Sequence, residues 1–435
     1  MMKRIIFGKG GFMDFLNSLV GSINDFLWTY IIIVVLVGSG LWFTLSTGLV
    51  QLRALPEMVR LLAGDLGRRP SGRKAISSFQ AFCVSTASRV GVGNIAGVAI
   101  AIVTGGPGAV FWMWVIAFIG TATGFVESTL AQIYKISRGH GLFHGGPAYY
   151  IQNALGQPAV AKLFAVLISV TFGLIYVSVQ ANTIALSMEK AFGIDTWVMG
   201  AVLAILSGAV IFGGIQRVAN FSTLLVPVMA GIYLLIAAII IVLHIDQVPA
   251  MFALILHDAF SPQAAVGGGI GTAILTGIRR GLFSNEAGEG SIPNAAATAN
   301  VTHPVKQGLV QAFGVYVDTW IVCSATAFIV LLTGQYTIGG DTTGIALAQD
   351  SLASAFGPWA SSLLAVLIFL FAFSSVVGNY YYGEINIHFI TENTKPALFA
   401  YRLAVVAMVF FGCVAAFGLV WNLADLFMAM ICLTN

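Results

Sequence analysis

Charge is scarce in this chain of 435 residues: Asp, Glu, Lys and Arg together make up 9% of it, against roughly 25% in ordinary soluble domains. With 58% hydrophobic residues and a mean hydropathy of +0.93, it is too apolar for one soluble core. The net charge of +3 offers no basic surface for nucleic acid. Cysteine is scarce as well. Cys83, Cys323, Cys413 and Cys432 lie far apart inside apolar stretches. No CxxC or Cys/His spacing exists, so they read as small core residues rather than metal ligands or disulfides. HExxH is absent, and His140, His144, His244, His257, His303 and His388 fall in loops or near the ends of apolar segments, which argues against an intramembrane enzyme. Gly91-x-Gly93 has no preceding strand and the wrong spacing to Gly97 for a nucleotide loop. No repeated filter sequence suggests a channel. An uninterrupted signal-peptide core is missing too, because Lys9, Gly10, Gly11 and Asp14 break it.

What the chain has is apolar runs of about twenty residues, the length a spanning helix needs. They are expected near 28–51, 76–103, 108–134, 160–188, 197–214, 218–243, 268–299, 308–333, 358–385, 400–418 and from 420 onward. Ahead of them, Phe12, Leu16, Leu19, Ile23 and Leu27 recur at helical spacing, so 1–27 reads as an amphipathic helix on the membrane surface. The 49 glycines suit close helix packing in lipid. The last apolar run stops at Asn435 without a polar flank, so the final helix is expected to be cut short. Basic residues fix the expected orientation. Arg53, Arg60, Arg68, Arg69, Arg73, Lys74, Lys135, Arg138, Lys162, Arg217, Lys306, Lys395 and Arg402 fall on one side, against Lys3, Arg4, Lys9 and Lys190 on the other. The N-terminus is therefore expected outside and the C-terminal end inside.

Two spans differ from the rest. The second carries Ser88-Arg89-Val90-Gly91-Val92-Gly93-Asn94 in mid-membrane, and the seventh carries Ser284-Asn285-Glu286-Ala287-Gly288-Glu289-Gly290-Ser291 before Pro293. Both are apolar segments with polar, helix-breaking centres, and five spans separate them. They therefore hold corresponding places in two five-helix halves, 76–243 and 268–435, the second inverted. Paired broken helices of this kind point to a transport site at the midplane. A half-helix starting near Asn94 presents free N–H groups suited to a carboxylate. One ending near Ala87 to Val90 presents free carbonyls suited to a small cation. The other reading of these glycines is close helix packing alone.

Charged residues within or near spans are functional candidates: Arg89, Glu127, Arg279, Arg280, Glu286, Glu289, Asp318 and Glu384. Opposite signs are expected to pair, either as a static network or, for Asp318 and Glu127, as proton-relay groups. In the ninth span, Ser374 and Ser375 add neutral oxygens that complete a sodium shell with backbone carbonyls, or that simply bond the preceding turn. Phe172, Tyr176, Gln180 and Asn182 share a face of the fourth span.

Gly93-Asn94-Ile95-Ala96-Gly97-Val98-Ala99, Gly105-Gly106-Pro107-Gly108, Gly145-Gly146-Pro147-Ala148-Tyr149 and Ser284-Asn285-Glu286-Ala287-Gly288 resemble the alanine/glycine:cation symporter family, as do Val179-Gln180-Ala181-Asn182 and Tyr381-Tyr382-Gly383-Glu384. The resemblance implies an all-α, leucine-transporter-like membrane fold: a 5+5 inverted repeat preceded by one extra N-terminal transmembrane helix. It implies sodium-coupled, sometimes proton-coupled, symport of alanine or glycine by alternating access in a cytoplasmic membrane. Partners would then be the amino acid and the lipid bilayer, with no obligate protein partner. Carried over by residue, it implies a substrate carboxylate at Gly91, Gly93 and Asn94. The pocket walls would come from Phe172, Phe283, Ser284, Val376 and Asn379, and the sodium site from Ala87, Val90, Phe371, Ser374 and Ser375. A proton-coupled permease would use Glu286 or Asp318 instead. One departure stands out: many relatives carry tryptophan where this chain has Asn379, which implies a pocket of different size or polarity.

Overall fold

A capping box opens the first of the two broken spans. Ser77 Oγ accepts from the Gln80 N–H (3.1 Å) while Gln80 Oε1 accepts from the Ser77 N–H (3.0 Å). The computed structural model describes residues 11–65, 75–213, 215–261, 271–391 and 394–435, with the backbone only at 11–16, 215–217, 219 and 221. Lys3, Arg4, Lys9, Arg68, Arg69, Arg73 and Lys74, residues 268–270 of the expected seventh span, and the side chains of Phe12, Leu16 and Arg217 lie outside the described residues.

The longer helices are α1 (Asn17–Ser46), α2 (Leu55–Asp65), α3 (Ser78–Arg89), α4 (Gly93–Gly105), α5 (Gly108–Ile133), α6 (Pro147–Leu155), α7 (Pro158–Phe192), α8 (Thr196–Ile211), α9 (Ile215–Leu243) and α10 (Val248–Ala259). They continue as α11 (Thr272–Asn285), α12 (Ile292–Thr298), α13 (Pro304–Thr333), α14 (Gly344–Phe356), α15 (Trp359–Thr391), α16 (Lys395–Val414) and α17 (Phe417–Thr434). A short antiparallel hairpin of β1 (Ile136–Ser137) and β2 (Phe143–His144) pairs Ile136 with His144.

Among the described residues, eight helices are long and apolar enough to cross a membrane, and the bent pair α3–α4 makes a ninth. With α8 and the broken pair α11–α12, each of the expected spans has helix beneath it. The boundary at the N-terminal end differs most. The chain is helical without interruption from Gly11 to Ser46, so the described part of the expected surface segment and the expected first span are one helix. The reason lies in which face is covered. Leu19 and Ile23 are exposed, whereas Asn24 is buried and donates from Nδ2 to Asn422 O at 2.8 Å, and Trp28 Nε1 donates to Asp425 O at 3.2 Å. Buried Asn24 beside exposed Leu19, Ile23 and Phe26 inverts the pattern of a soluble amphipathic helix, although Ser22 and Asp25 are exposed with them and Trp28 is buried.

That inversion runs through the molecule. Trp42, Leu45, Ile205 and Leu224 are largely exposed on α1, α8 and α9, as lipid-facing side chains are. The polar residues gather inside, around α3–α4 and α11–α12. All seven residues of α12 are buried. The Asn300 N–H donates to Ile76 O at 2.9 Å, tying the end of α12 to the start of α3. The two broken spans are thus held together inside a cage of α5, α7, α13 and α15.

Candidate functional site

The first break comes where α3 ends at Arg89 and α4 leaves at a 50° bend from Gly93. Interrupting a helix in lipid leaves backbone groups that must find partners. The Gly91 N–H donates to Asn94 Oδ1 (2.8 Å), and the Val92 N–H donates to Gln180 Oε1 of α7 (3.1 Å). Asn94 is itself held, because its Nδ2 donates to Asp318 Oδ1 at 2.7 Å. The glycines are required by contact. A Cβ on Gly91 would stand 2.2 Å from Ser375 Oγ, and one on Gly93 would stand 3.0 Å from Ser284 Cα. They let the break touch α15 and α11 directly.

On the carbonyl side, Ala87 O accepts from Ser375 Oγ (2.9 Å) and lies 3.4 Å from Ser374 Oγ. Phe371 O lies 2.7 Å from Ser374 Oγ and 3.2 Å from Ser375 Oγ. Four of the five residues expected to bind sodium therefore converge. The described contacts do not tie Val90 to them. Every group in this cluster is a neutral oxygen, the donor type that hard cations take. Among the described residues no His, Cys, Asp and Glu cluster suits a metal ion.

The second break is built differently. After α11 ends at Asn285, Glu286 (φ 57°), Gly288 (φ 100°) and Gly290 (φ 75°) turn through left-handed conformations before α12 begins. Glu286 accepts from Ser88 Oγ at one oxygen (2.7 Å) and from Ser291 Oγ at the other (2.6 Å). Asp318, on α13, accepts from Ser284 Oγ (2.8 Å) and Thr319 Oγ1 (2.9 Å) as well as from Asn94. A single carboxylate thus holds the start of α4 and the end of α11. Asp318 lies in a π-helical stretch, Tyr316–Cys323, and two other π-helical stretches, Gly93–Gly97 and Thr171–Tyr176, border the same site. Such widened turns recur at functional sites because they re-aim side chains.

Aromatic rings close the walls. Tyr382 meets Phe172 (5.4 Å between centroids), Phe172 meets Tyr176 (4.7 Å), Tyr176 meets Phe283 (4.9 Å) and Phe283 meets Trp421 (4.9 Å). Over Trp421 sits the Arg280 guanidinium, paired with Asp425. Val376 is buried in the apolar cluster beside them, without a polar contact. Asn379 lies against Ser88. All the expected site residues are buried, and none of the non-glycine ones is more than 4% exposed.

The expected pairing of intramembrane charges holds only in part. Arg279 and Arg280 pair with Asp425, and Glu384 pairs with Arg402 and His388. Glu127, Glu286, Glu289 and Asp318 instead accept from neutral donors: Asn435, Ser88 with Ser291, Tyr176, and Asn94 with Ser284 and Thr319. Arg89 donates to Gln311 Oε1 at 3.2 Å. Neutral partners suffice because each carboxylate sits where a helix or its break offers hydroxyls or amides. Asp425 and Ser88 were missed as site-bordering residues. Asp425 had a legible signal, as an acid inside the last apolar run. Ser88 had none, since a serine in a glycine-rich stretch looks like packing.

Comparison with known proteins agrees with this geometry. The sequence model of the sodium:alanine symporter family matches residues 13–435. A probable sodium/glutamine symporter of Bacillus subtilis is 51% identical over 97% of this chain and 87% of its own length. An amino-acid carrier protein of the same organism is 52% identical over 97% of this chain and 89% of its own. Among solved structures, a Na+-coupled sialic acid symporter superposes with a TM-score of 0.55 at 16% identity, covering 88% of this chain and 82% of that one. The fold is leucine-transporter-like, and the relatives are carriers rather than enzymes. With two broken helices enclosed in a multi-pass membrane bundle, and a family match over nearly its whole length, this chain belongs to the sodium:alanine symporter family of cation-coupled amino-acid carriers.

Proposed function

We propose that this chain takes up small neutral amino acids, alanine and glycine among them, together with sodium. The observation that carries this reading is the adjacency of two complementary ends at the first break. The neutral oxygens of Ala87, Phe371, Ser374 and Ser375 gather on one side of it, and the amides of Gly91, Gly93 and Asn94 lie on the other. Sodium takes the oxygens, with Val90 swinging its carbonyl in to complete the shell. The substrate carboxylate takes the amides, displacing the Asn94 side chain from the Gly91 N–H. Phe172, Phe283, Ser284, Val376 and Asn379 form the walls. Each ligand neutralises the other's charge in a dry site, so the two bind better together than apart.

Alternating access follows from the two halves, 76–243 and 268–435, arranged as an inverted repeat behind the helix α1. The halves rock about the bound pair, from a state open to the outside to one open to the cytoplasm. The chain sits in a cytoplasmic membrane with its N-terminus outside and its C-terminal end inside, as the basic residues place it. A membrane potential adds ~2.3 kcal/mol per charge at 100 mV to the sodium gradient. No protein partner is part of this cycle. The names of relatives include both alanine and glutamine carriers, which supports a neutral amino acid as the substrate.

The test is labelled-alanine uptake into proteoliposomes under an inward sodium gradient, against matched potassium and proton gradients. Uptake is expected with sodium alone, and lost when Ser374→Ala and Ser375→Ala are combined. Uptake driven by protons alone would transfer the coupling to Glu286 or Asp318 and overturn the sodium reading.

A further inference from the structure

The two carboxylates of the second break are partnered unequally. Glu286 accepts a serine hydroxyl at each of its oxygens. Glu289 accepts at Oε2 from the Tyr176 hydroxyl (3.1 Å), while its Oε1 is buried without a hydrogen-bond partner, on a residue with 0% exposure. Among the described residues Glu289 makes no ion pair. The fields of Glu286 and Glu127 reach it and carry its own sign, and the third acid in reach, Asp425, is already matched by Arg279 and Arg280. Buried polar atoms in native proteins are normally paired. An acid in this position lacks a donor and a positive charge, because burying an ionised carboxylate without either is costly.

The neighbours of Glu289 place it at the pocket. Its partner Tyr176 is the ring between Phe172 and Phe283 in the aromatic wall. Gln180 follows Tyr176 by four residues on α7, so the two side chains are neighbours on one face. Gln180 serves the first break, accepting from the Val92 N–H at 3.1 Å, and Tyr176 serves the second through Glu289. The unused oxygen thus belongs to a group one turn of α7 away from the break whose amides receive the substrate carboxylate in the reading above. An amino acid carries, beside its carboxylate, an ammonium with N–H donors and a positive charge. None of the groups assigned so far receives it.

Resting on the amino-acid symport reading above, we infer that Glu289 receives the substrate α-ammonium at Oε1 while Tyr176 holds its other oxygen. The substrate then spans the two breaks, its carboxylate on the amides of the first and its ammonium on the acid of the second. A molecule with the carboxylate alone leaves Glu289 unpaired in a dry site, and sites built to hydrogen-bond a substrate group reject analogues that lack it.

The experiment uses the full chain in proteoliposomes with an inward sodium gradient. Uptake of labelled alanine is competed with unlabelled alanine and with lactate, which keeps the carboxylate and the methyl but carries a hydroxyl in place of the ammonium. In wild type, lactate is expected to compete about a hundredfold or more weakly. Glu289→Gln keeps the shape and removes the charge. It is expected to raise the half-saturating alanine concentration by about tenfold or more, with lactate competition and half-saturating sodium unchanged, and Glu289→Asp is expected to recover part of the loss. Equal losses for alanine and lactate would make Glu289 a structural residue and overturn the inference, as would an alanine curve unchanged in Glu289→Gln. Uptake that carries a proton inward in wild type but not in Glu289→Gln would overturn it by making Glu289 a proton site. Lactate competing as well as alanine in wild type would overturn it even where the variants fail to fold. Each of these results leaves sodium symport standing, whereas no sodium-driven uptake of any amino acid would overturn both.

Discussion

The two helix breaks do similar work with opposite chemistry. The first, at Val90–Val92, carries no acid, is closed by the amides of Asn94 and Gln180, and depends on glycines because neighbouring helices touch it. The second, at 286–291, contains two carboxylates and turns through positive φ at Glu286, Gly288 and Gly290. A neutral break with carbonyls at one end and N–H groups at the other suits ligands that enter and leave. An acidic loop held by serine hydroxyls suits a fixed scaffold, because taking a buried polar group away from its hydrogen-bond partners is costly. The first break is therefore read as the binding element and the second as the frame against which it works.

The sharpest way to break that contrast is to fill the first break. Gly91→Val pushes atoms into Ser375 Oγ, and uptake is expected to fall by about a hundredfold or more, measured as initial sodium-driven rate. Near-normal uptake would mean that the ligands bind elsewhere. A smaller effect is expected at the second break. Glu286→Gln keeps the shape but turns one acceptor into a donor facing a serine, a change of about 1–3 kcal/mol. The expected result is a rate reduced by about tenfold with the sodium concentration for half-maximal uptake unchanged. A shifted sodium curve would move Glu286 from the frame into the ion site.

The smallest expected effect lies where the second broken span ends. The hairpin of β1 and β2 leads into Gly145 and Gly146, which lie directly against Ala297 and Asn294 of α12. Within it His144 is buried against His388, and desolvation, with His388 and Arg138 nearby and Glu384 opposing, pushes its pKa down to about 4. A histidine depressed from 6.5 favours the folded state fully above 6.5 and loses that contribution as pH falls toward 4. Acidification from pH 7 to 5 should thus weaken the fold by on the order of 1–2 kcal/mol. The midpoint of thermal unfolding in detergent should drop accordingly, and the drop should shrink in His144→Gln. An unchanged pH dependence in that variant would separate the hairpin from the stability of α12.

Much of this was legible in the residues. The glycine-rich Gly91–Gly97 and the Asn285–Ser291 stretch announced both breaks, because such sequences cannot continue a helix through lipid. Ser374 and Ser375 announced neutral oxygens opposite the first break. The continuity of α1 through Leu27 was not legible. An apolar stripe facing lipid and one facing a protein core have the same period, and only the burial of Asn24 against α17 tells them apart. The role of Asp318 was legible only as an isolated acid. That it holds Asn94 and Ser284 at once depends on α13 crossing both broken helices.

By itself the sequence determined that this chain lies in a membrane and where two of its apolar segments must break. Those outcomes depend on local facts: hydropathy over about twenty residues and the backbone limits of glycine and proline. The tertiary structure alone decided which polar atoms meet. Glu286 and Asn379 lie 198 and 291 residues beyond Ser88 along the chain, and they become its hydrogen-bonding neighbours only because the break after α11 and the helix α15 both meet the end of α3. In lipid a buried polar atom must find whatever partner the packing brings to it, and the spacing of residues along the chain does not record that choice.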